Sequence, residues 1–464
     1  MKRNFNTLLQ KMNKNEYSTD QETISKFCID WRGKYKGTSD LIFFPSTVSK
    51  IIEIVKFCNL NRIPIVPQGG NTSLVGGSVP RKNKGEIILN LSKLNKIRDI
   101  DNVSNTITVE SGCILDNINE KLSKHQHEMP ISLGSKGSCH IGGNIATNAG
   151  GLNVIKYGSI RSNILGIEAV LPNGELFSDL KIVKKNNTGL DLKQLLIGAE
   201  GTLGIITAAV LRTYKKVNDR VVLMLCFKEF NKVLDAYVNF VKLFGELITA
   251  FEFMNDFSIS LINKFNDSLR LPFAGKHYCL VELTNFLDIN DYNNFIYEKL
   301  NKINLINTEL IVSKSENENK NFWKIREEIP LAEKQLKNII QHDVSLPLKN
   351  IENFIDVSTN YLKKLDSNIK IINFGHLGDN NLHFNVFIDR DVNNEEYNFL
   401  KKKINEIIFS NVSSYEGAIS AEHGIGQLRR KQLKKYKSPD DLRIMNLIKK
   451  IYDPNNIMNP GKVF

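Results

Sequence analysis

A chain of 464 residues exceeds what one hydrophobic core organises and implies two or three domains. Hydrophobic residues at 41% against 24% charged exclude a disordered chain, and no run approaches the ~18 apolar residues that would span a membrane. The formal charge of +12 comes from Lys scattered throughout and from clusters at Lys181 to Lys185 and Arg429 to Lys435. It reads as compositional drift plus a field that attracts small anions, and nucleic acid is the poorer explanation.

Six cysteines, at 28, 58, 113, 139, 226 and 279, show no CxxC spacing, so neither a disulfide framework nor an iron–sulfur site is expected. Met1 to Asn13 lacks the apolar centre of a secretory signal. The expectation is a soluble, cytoplasmic protein with reduced thiols.

In chain order, residues 1 to 30 read as amphipathic helix and connector leading to Asp30-Trp31. Phe43-Phe44-Pro45 is a strand, and Ser46-Thr47 caps a helix through Cys58 with Val48, Ile51, Ile52, Ile54 and Val55 inward. Ile63 to Val66 is a buried strand that empties into Gln68-Gly69-Gly70-Asn71-Thr72-Ser73-Leu74-Val75-Gly76-Gly77-Ser78. Glycines and small hydroxyls let backbone N–H groups approach an anion such as a diphosphate. Alone, this loop reads as well as a tight turn, and it fits neither GxGxxG nor GxxxxGK[ST].

Ile87 to Leu91 and Thr106 to Val109 read as strands and Leu115 to Leu122 as a helix. Gly134 to Gly151 then packs small residues over eighteen positions, too many for ordinary turns. With Gly198-Ala199-Glu200-Gly201-Thr202, it suggests walls of one elongated ligand groove. Ile167 to Leu171 is a further strand.

After Arg212 the texture changes to strands (Val221 to Phe227, Tyr278 to Leu283) alternating with a helix (Asn231 to Phe244) and no glycine-rich loops. The polar run Ser313 to Lys320 reads as an exposed loop. The domains are therefore expected at 1–215, 216–413 and 414–464, with the last returning to the first.

Near the end, His376 and His383 flank Gly378-Asp379-Asn380-Asn381. If those four form a hairpin loop, Leu377 faces Leu382 and the two imidazoles face each other, close enough to share a metal. Asn385, two residues on, shares that face. Core histidines are the alternative. A third ligand would come from elsewhere, and Glu422-His423 offers a carboxylate and a spare imidazole that point oppositely on an extended segment.

PQGGNTSLVGGS, GSCHIGGNIATNAGG, IGAEGTLGIIT, HLGDNNLH and AEHGIG together resemble the vanillyl-alcohol-oxidase type of FAD flavoproteins. The likeness is greatest to the D-2-hydroxyglutarate dehydrogenase group, beside D-lactate dehydrogenases and the glycolate oxidase flavin subunit. The resemblance implies an α+β fold: a two-part FAD-binding domain, a cap domain with an antiparallel sheet, and a C-terminal helical segment. It implies FAD held by Pro67, Gly69, Gly70, Asn71, Thr72, Gly76, Gly77, Ser78, Gly134, Ser138, Gly142, Gly143, Asn144, Ala146, Gly150, Gly201, Ile206 and Asn459. The flavin is expected to be non-covalent, because residues 64 to 80 contain no His; Cys139 and His140 are the alternative tethers.

By the same resemblance His376, His383 and Glu422 match metal ligands, usually zinc, and His423 a general base. Arg326, Gln341 and Asn385 match substrate contacts. The implied reaction oxidises an (R)-2-hydroxy acid, D-2-hydroxyglutarate or a relative, to the 2-oxo acid. Electron-transfer flavoprotein, a quinone or a cytochrome would reoxidise the flavin, and a homodimer is compatible with it. The alternatives are a D-lactate dehydrogenase, a glycolate oxidase flavin subunit, or a flavin-binding sensor without turnover. Three positions depart from the group: Asn380 stands for Gly, Gln341 for Lys and Pro330 for Thr.

Overall fold

The computed structural model describes residues 5–217, 219–266, 269–302 and 308–464. The chain divides into two compact units. One comprises residues up to Gly151, Tyr157–Lys216 and Glu422–Phe464; the other comprises Leu152–Lys156 and Val217–Ala421. Residues 414–421, grouped by sequence with the C-terminal segment, lie in the second unit. There Ala418 and Ser345 exchange backbone hydrogen bonds of 2.8 and 3.1 Å.

The first unit contains a sheet of β1 (Tyr17–Ser18), β2 (Ile42–Phe43), β3 (Ile65–Gln68) and β4 (Ile87–Asn90), ordered β1-β2-β4-β3. Helix α1 (Val48–Leu60) buries Ile51, Ile54, Val55 and Cys58 in a cluster with Phe43, Ile65 and Leu89. Each aliphatic side chain buried this way contributes roughly 1.5–3 kcal/mol. Thr47 starts the helix by accepting from the Lys50 N–H at 3.4 Å. The β3 strand begins two residues later than the apolar run suggested. Its parallel register with β4, from Ile65↔Ile87 to Gln68↔Asn90, carries it to Gln68 and releases the chain at Gly69.

A second, antiparallel sheet holds β5 (Ile97–Asp101), β6 (Thr106–Glu110), β8 (Ile164–Val170), β9 (Leu176–Asp179) and β10 (Ile205–Arg212), ordered β5-β6-β10-β8-β9; β7 (His127–Glu128) pairs separately with β11 (Tyr214–Lys215). Helices α2 (Leu115–Ser123) and α3 (Ile141–Ala146) close its core through Leu115, Ile118, Leu122, Ile141 and Ile145.

The second unit is built on one antiparallel sheet. Its strands are β12 (Arg220–Phe227), β13 (Ile248–Asn255), β14 (His277–Thr284), β15 (Glu309–Val312), β16 (Ile339–Ile340), β17 (Asp343–Ser345), β18 (Ile369–His376) and β19 (Asn381–Ile388). The order is β15-β12-β14-β13-β18-β19-β16, with β17 also on β19. Helix α4 (Phe230–Phe244) follows β12, and α5 (Glu316–Glu333) packs Ile325, Ile329 and Ala332 with Met224, Met254, Ile372 and Phe374.

The start of α5 overturns the exposed loop expected at Ser313 to Lys320. Ser313 is buried and its hydroxyl accepts from Val222 N–H at 2.9 Å. Ser315 accepts from Glu318 N–H at 3.2 Å, and Glu318 reaches back to Lys314 N–H at 2.7 Å. The polar run is a helix start of the Ser-x-x-Glu kind, not a loop.

Candidate active site

In the first unit the glycine-rich segments converge because they lack side chains. A Cβ on Gly70 would lie 2.0 Å from the Ser138 carbonyl oxygen, one on Gly69 3.2 Å from His140 Cβ, and one on Gly142 2.4 Å from Ser111 Cβ. Asn71 adopts φ 53°, donates to Ile29 C=O at 2.8 Å and accepts from the Ser78 hydroxyl at 2.7 Å. Gly76 turns the loop at φ 69°.

The Glu200-Gly201 turn, with φ of 52° and 71°, abuts this loop. A Cβ on Gly201 would lie 3.2 Å from Pro67 Cγ, and Glu200 N–H donates to Ala146 C=O at 2.8 Å. Asn459 ties the two together by donating to the Gly77 and Glu200 carbonyls at 3.0 and 2.7 Å. Asp453 holds Asn459 in reach, accepting from Ile457 and Met458 N–H at 2.9 and 2.8 Å.

Thr72 and Gly143 are half-buried, and Asn144 and Ile206 are buried. Asn144 donates to Cys139 Sγ at 3.3 Å, and Ile206 belongs to the core behind α3. Gly134 and Ser138 are exposed; only the Ser138 carbonyl meets the cradle. Gly150 is half-buried.

This surface suits a flavin nucleotide. Its glycines let the segments pack backbone to backbone, and Ser111 Oγ, His140 Nδ1 and Asn459 Oδ1 are buried without a hydrogen-bond partner among the described residues. Buried polar atoms are normally paired, so these three offer hydrogen bonds to a bound group. Burial holds the His140 imidazole below its ordinary pKa, so it stands neutral.

Glu200 was missed by sequence reasoning. Its carboxylate accepts from Ile425 and Gly426 N–H at 2.7 and 2.8 Å, anchoring the Glu422-His423-Gly424 turn. Burial pushes its carboxyl up to about 6, partly offset by those two N–H groups. Gly424, at φ 79°, is required there, since a Cβ would approach Glu200 Oε1 to 2.8 Å. Glu422 accepts from Gly151 N–H at 2.9 Å. An acid amid glycines in Gly198 to Gly201 was the available signal.

In the second unit the His376–His383 hairpin is offset from the expected register. Phe374, not His376, lies opposite His383, while His376 pairs with Glu252 on β13. The turn closes earlier, as a 3₁₀ turn Leu377–Asp379 followed by Asn380 at φ 73°. Asn supplies this left-handed conformation where the resembled group has Gly. A shift of two residues preserves the face, so the rings still lie 5.7 Å apart, centroid to centroid.

Glu252 organises the same face. Its Oε1 engages His376 Nδ1 at 2.8 Å and its Oε2 accepts from Arg326 Nε at 2.8 Å. Burial alone would raise this carboxyl, but His376 and Arg326 hold it below the ordinary range. The contact makes Nδ1 the protonated nitrogen of His376 and leaves Nε2 as the lone-pair atom. Arg326 lies over the Phe374 ring at 4.6 Å, and His383 sits against the same ring at 4.9 Å. Neither Nη of Arg326 makes a hydrogen bond among the described residues. Asp343 stands 3.8 Å from His383 Nδ1. The Glu252 carboxylate hydrogen-bonded behind His376 is the usual support for a metal ligand, so the imidazole pair fits a divalent metal.

Asn385 and Gln341, expected at the substrate, both donate to Glu333, at 2.6 and 3.1 Å. Glu252 and Glu333 escaped sequence reasoning, although an acid inside Phe251-Glu252-Phe253 marks a buried charge that needs partners.

Residues 39–179 match the model of an FAD binding domain, and residues 216–463 that of the C-terminal domain of FAD linked oxidases. The chain belongs to the FAD-linked oxidase family. This FAD-linked oxidase is 38% identical over 450 residues to the mitochondrial D-2-hydroxyglutarate dehydrogenase of Arabidopsis thaliana, covering 96% of this chain and 78% of that one. It is 34% identical to the D-2-hydroxyglutarate–pyruvate transhydrogenase of Saccharomyces cerevisiae, covering 95% and 90%. Its fold is that of p-cresol methylhydroxylase, with TM-score 0.76, 16% identity, and coverage of 99% and 96%. The expected family and α+β fold are thus borne out. No helix among the described residues is long and apolar enough to cross a membrane.

Proposed function

We propose that this FAD-linked oxidase oxidises a D-2-hydroxy acid to its 2-oxo acid. The observation that carries the reading is the Arg326–Glu252–His376 chain beside His383. A 2-hydroxy acid offers a carboxylate and a hydroxyl one bond apart, and this face offers a guanidinium with open Nη groups next to an imidazole pair. Arg326 binds and orients the carboxylate as a planar fork. His376 and His383 supply two nitrogen ligands for a divalent metal, zinc first, which would polarise the hydroxyl. Asn385 borders the same face and confines the substrate.

By the family resemblance, Glu422 is matched to the carboxylate ligand and His423 to the general base. His423 takes the hydroxyl proton, and Glu200 holds its turn. Bound FAD supplies the two-electron acceptor for the hydride on C2. A carrier such as electron-transfer flavoprotein, a quinone or a cytochrome then receives the electrons. All six cysteines are buried and free, which supports a reducing compartment such as the cytoplasm.

Anaerobic mixing with a panel of D- and L-2-hydroxy acids tests this. The oxidised flavin absorbance should bleach with D acids and persist with L acids. Persistence with every D acid would refute the reading.

A further inference from the structure

We infer that Glu333 sets the substrate class, admitting D-2-hydroxy acids with an uncharged tail and rejecting a second carboxylate. This rests on the function proposed above and narrows it.

Helix α5 lays one stripe of side chains on the sheet. Trp323 donates to Glu282 of β14 at 2.8 Å, Arg326 to Glu252 of β13, and Glu333 receives Asn385 of β19. Arg326 and Glu333 are two helical turns apart, about 10.5 Å along the axis. That matches two strand spacings from β13 across β18 to β19, roughly 9.6 Å. Phe374 and His383 lie between. The face therefore runs from a cation at Arg326, past the imidazoles, to an anion at Glu333.

That anion is built in. Glu333 is 2% exposed, and its two oxygens take one amide each: Asn385 Nδ2 on Oε1 and Gln341 Nε2 on Oε2. Asn385 is fixed further by accepting from His342 N–H at 3.0 Å. The amides that could otherwise read a distal carboxylate already serve a carboxylate of the protein. A second substrate carboxylate placed there would meet like charge with its donors engaged, a repulsive element that discriminates against dicarboxylates. Arg326 still holds the first carboxylate, so a short monocarboxylate such as D-lactate fits.

The arrangement also predicts that Gln341→Lys alone fails to create a dicarboxylate site. The new ammonium would pair with Glu333 before any substrate.

The test compares kcat/KM of the flavin-loaded enzyme for D-lactate and D-2-hydroxyglutarate in wild type, Glu333→Gln, Gln341→Lys and Glu333→Gln/Gln341→Lys. Wild type should prefer D-lactate. Glu333→Gln should raise the D-2-hydroxyglutarate to D-lactate ratio by about tenfold or more, mainly through a lower KM for the dicarboxylate. The double variant should exceed the product of the two singles. A wild type that prefers the dicarboxylate, or a ratio unmoved by Glu333→Gln, overturns the inference. Should Glu333→Gln fail to fold, the wild-type preference and the Gln341→Lys ratio decide. Flavin reduction by no D acid at all would instead refute the function itself.

Discussion

Glu252 serves Arg326 and His376 at once, through separate oxygens, each at 2.8 Å. The carboxylate is fully buried, and removing one member of such a group leaves the others uncompensated, at about 3–5 kcal/mol. Its catalytic consequence is orientation: it presents His376 Nε2 and aims the guanidinium.

Glu252→Gln should therefore weaken divalent-metal binding by about ten- to a hundredfold, read by zinc titration. Flavin content should stay unchanged, because the glycine cradle belongs to the other unit. His376→Ala should remove metal retention altogether with the flavin again intact. Full turnover in a preparation shown to be metal-free would sink the metal assignment.

Gly70→Ala should yield protein depleted of flavin. The added Cβ would lie 2.0 Å from a backbone oxygen, and neither partner is the movable end of a side chain. Gly137→Ala is the control, since Gly137 is exposed, is not among the expected flavin contacts, and a Cβ there meets only Asp116 Oδ2 at an ordinary 3.5 Å. The ratio of flavin absorbance to protein absorbance reads both; equal loading of the two variants would contradict the packing argument.

What the sequence disclosed followed a physical division. Glycine pairs announce close backbone approach locally, so the cradle from Gly69 to Ser78 was legible, as were α1 and β12 from their apolar patterns. His376 and His383 shared a face in either register because a two-residue slip keeps parity. Partners set by strand order were not legible. Glu252 meets Arg326 and His376 across 74 and 124 residues, and nothing near it in sequence names them. Gln341 was matched to a substrate contact by resemblance, and Glu333, eight residues away, gave no sign in sequence of accepting its amide.

Glu200 should make stability fall between about pH 4.5 and 6. Its folded carboxyl is raised from the ordinary 4.5 to about 6 by burial, so across that window the native state binds more proton than the unfolded chain. Stability is full below the unfolded value and declines as the pH rises through the folded one, by about 2 kcal/mol in all. Chemical denaturation at pH 4.5, 5.5 and 6.5 would show the slope, and Glu200→Gln should flatten it. A slope of the opposite sign that vanishes in Glu200→Gln would show Glu200 to be stabilised as the anion.

The flavin should be released intact when the protein is precipitated with acid. A tether requires a nucleophile that reaches the ring, and the two residues left open by sequence are Cys139 and His140. Cys139 is 1% exposed, and burial raises its thiol pKa, which keeps it protonated and unreactive. Asn144 Nδ2 holds its sulfur at 3.3 Å, inside the core behind α3. His140 packs its Cβ toward Gly69, with Nδ1 buried and neutral, as a hydrogen-bonding atom at the cradle wall. Supernatant from acid precipitation should therefore carry the yellow flavin, and the pellet should be colourless. Flavin fluorescence that stays with the pellet and is lost in His140→Ala would establish the covalent bond instead.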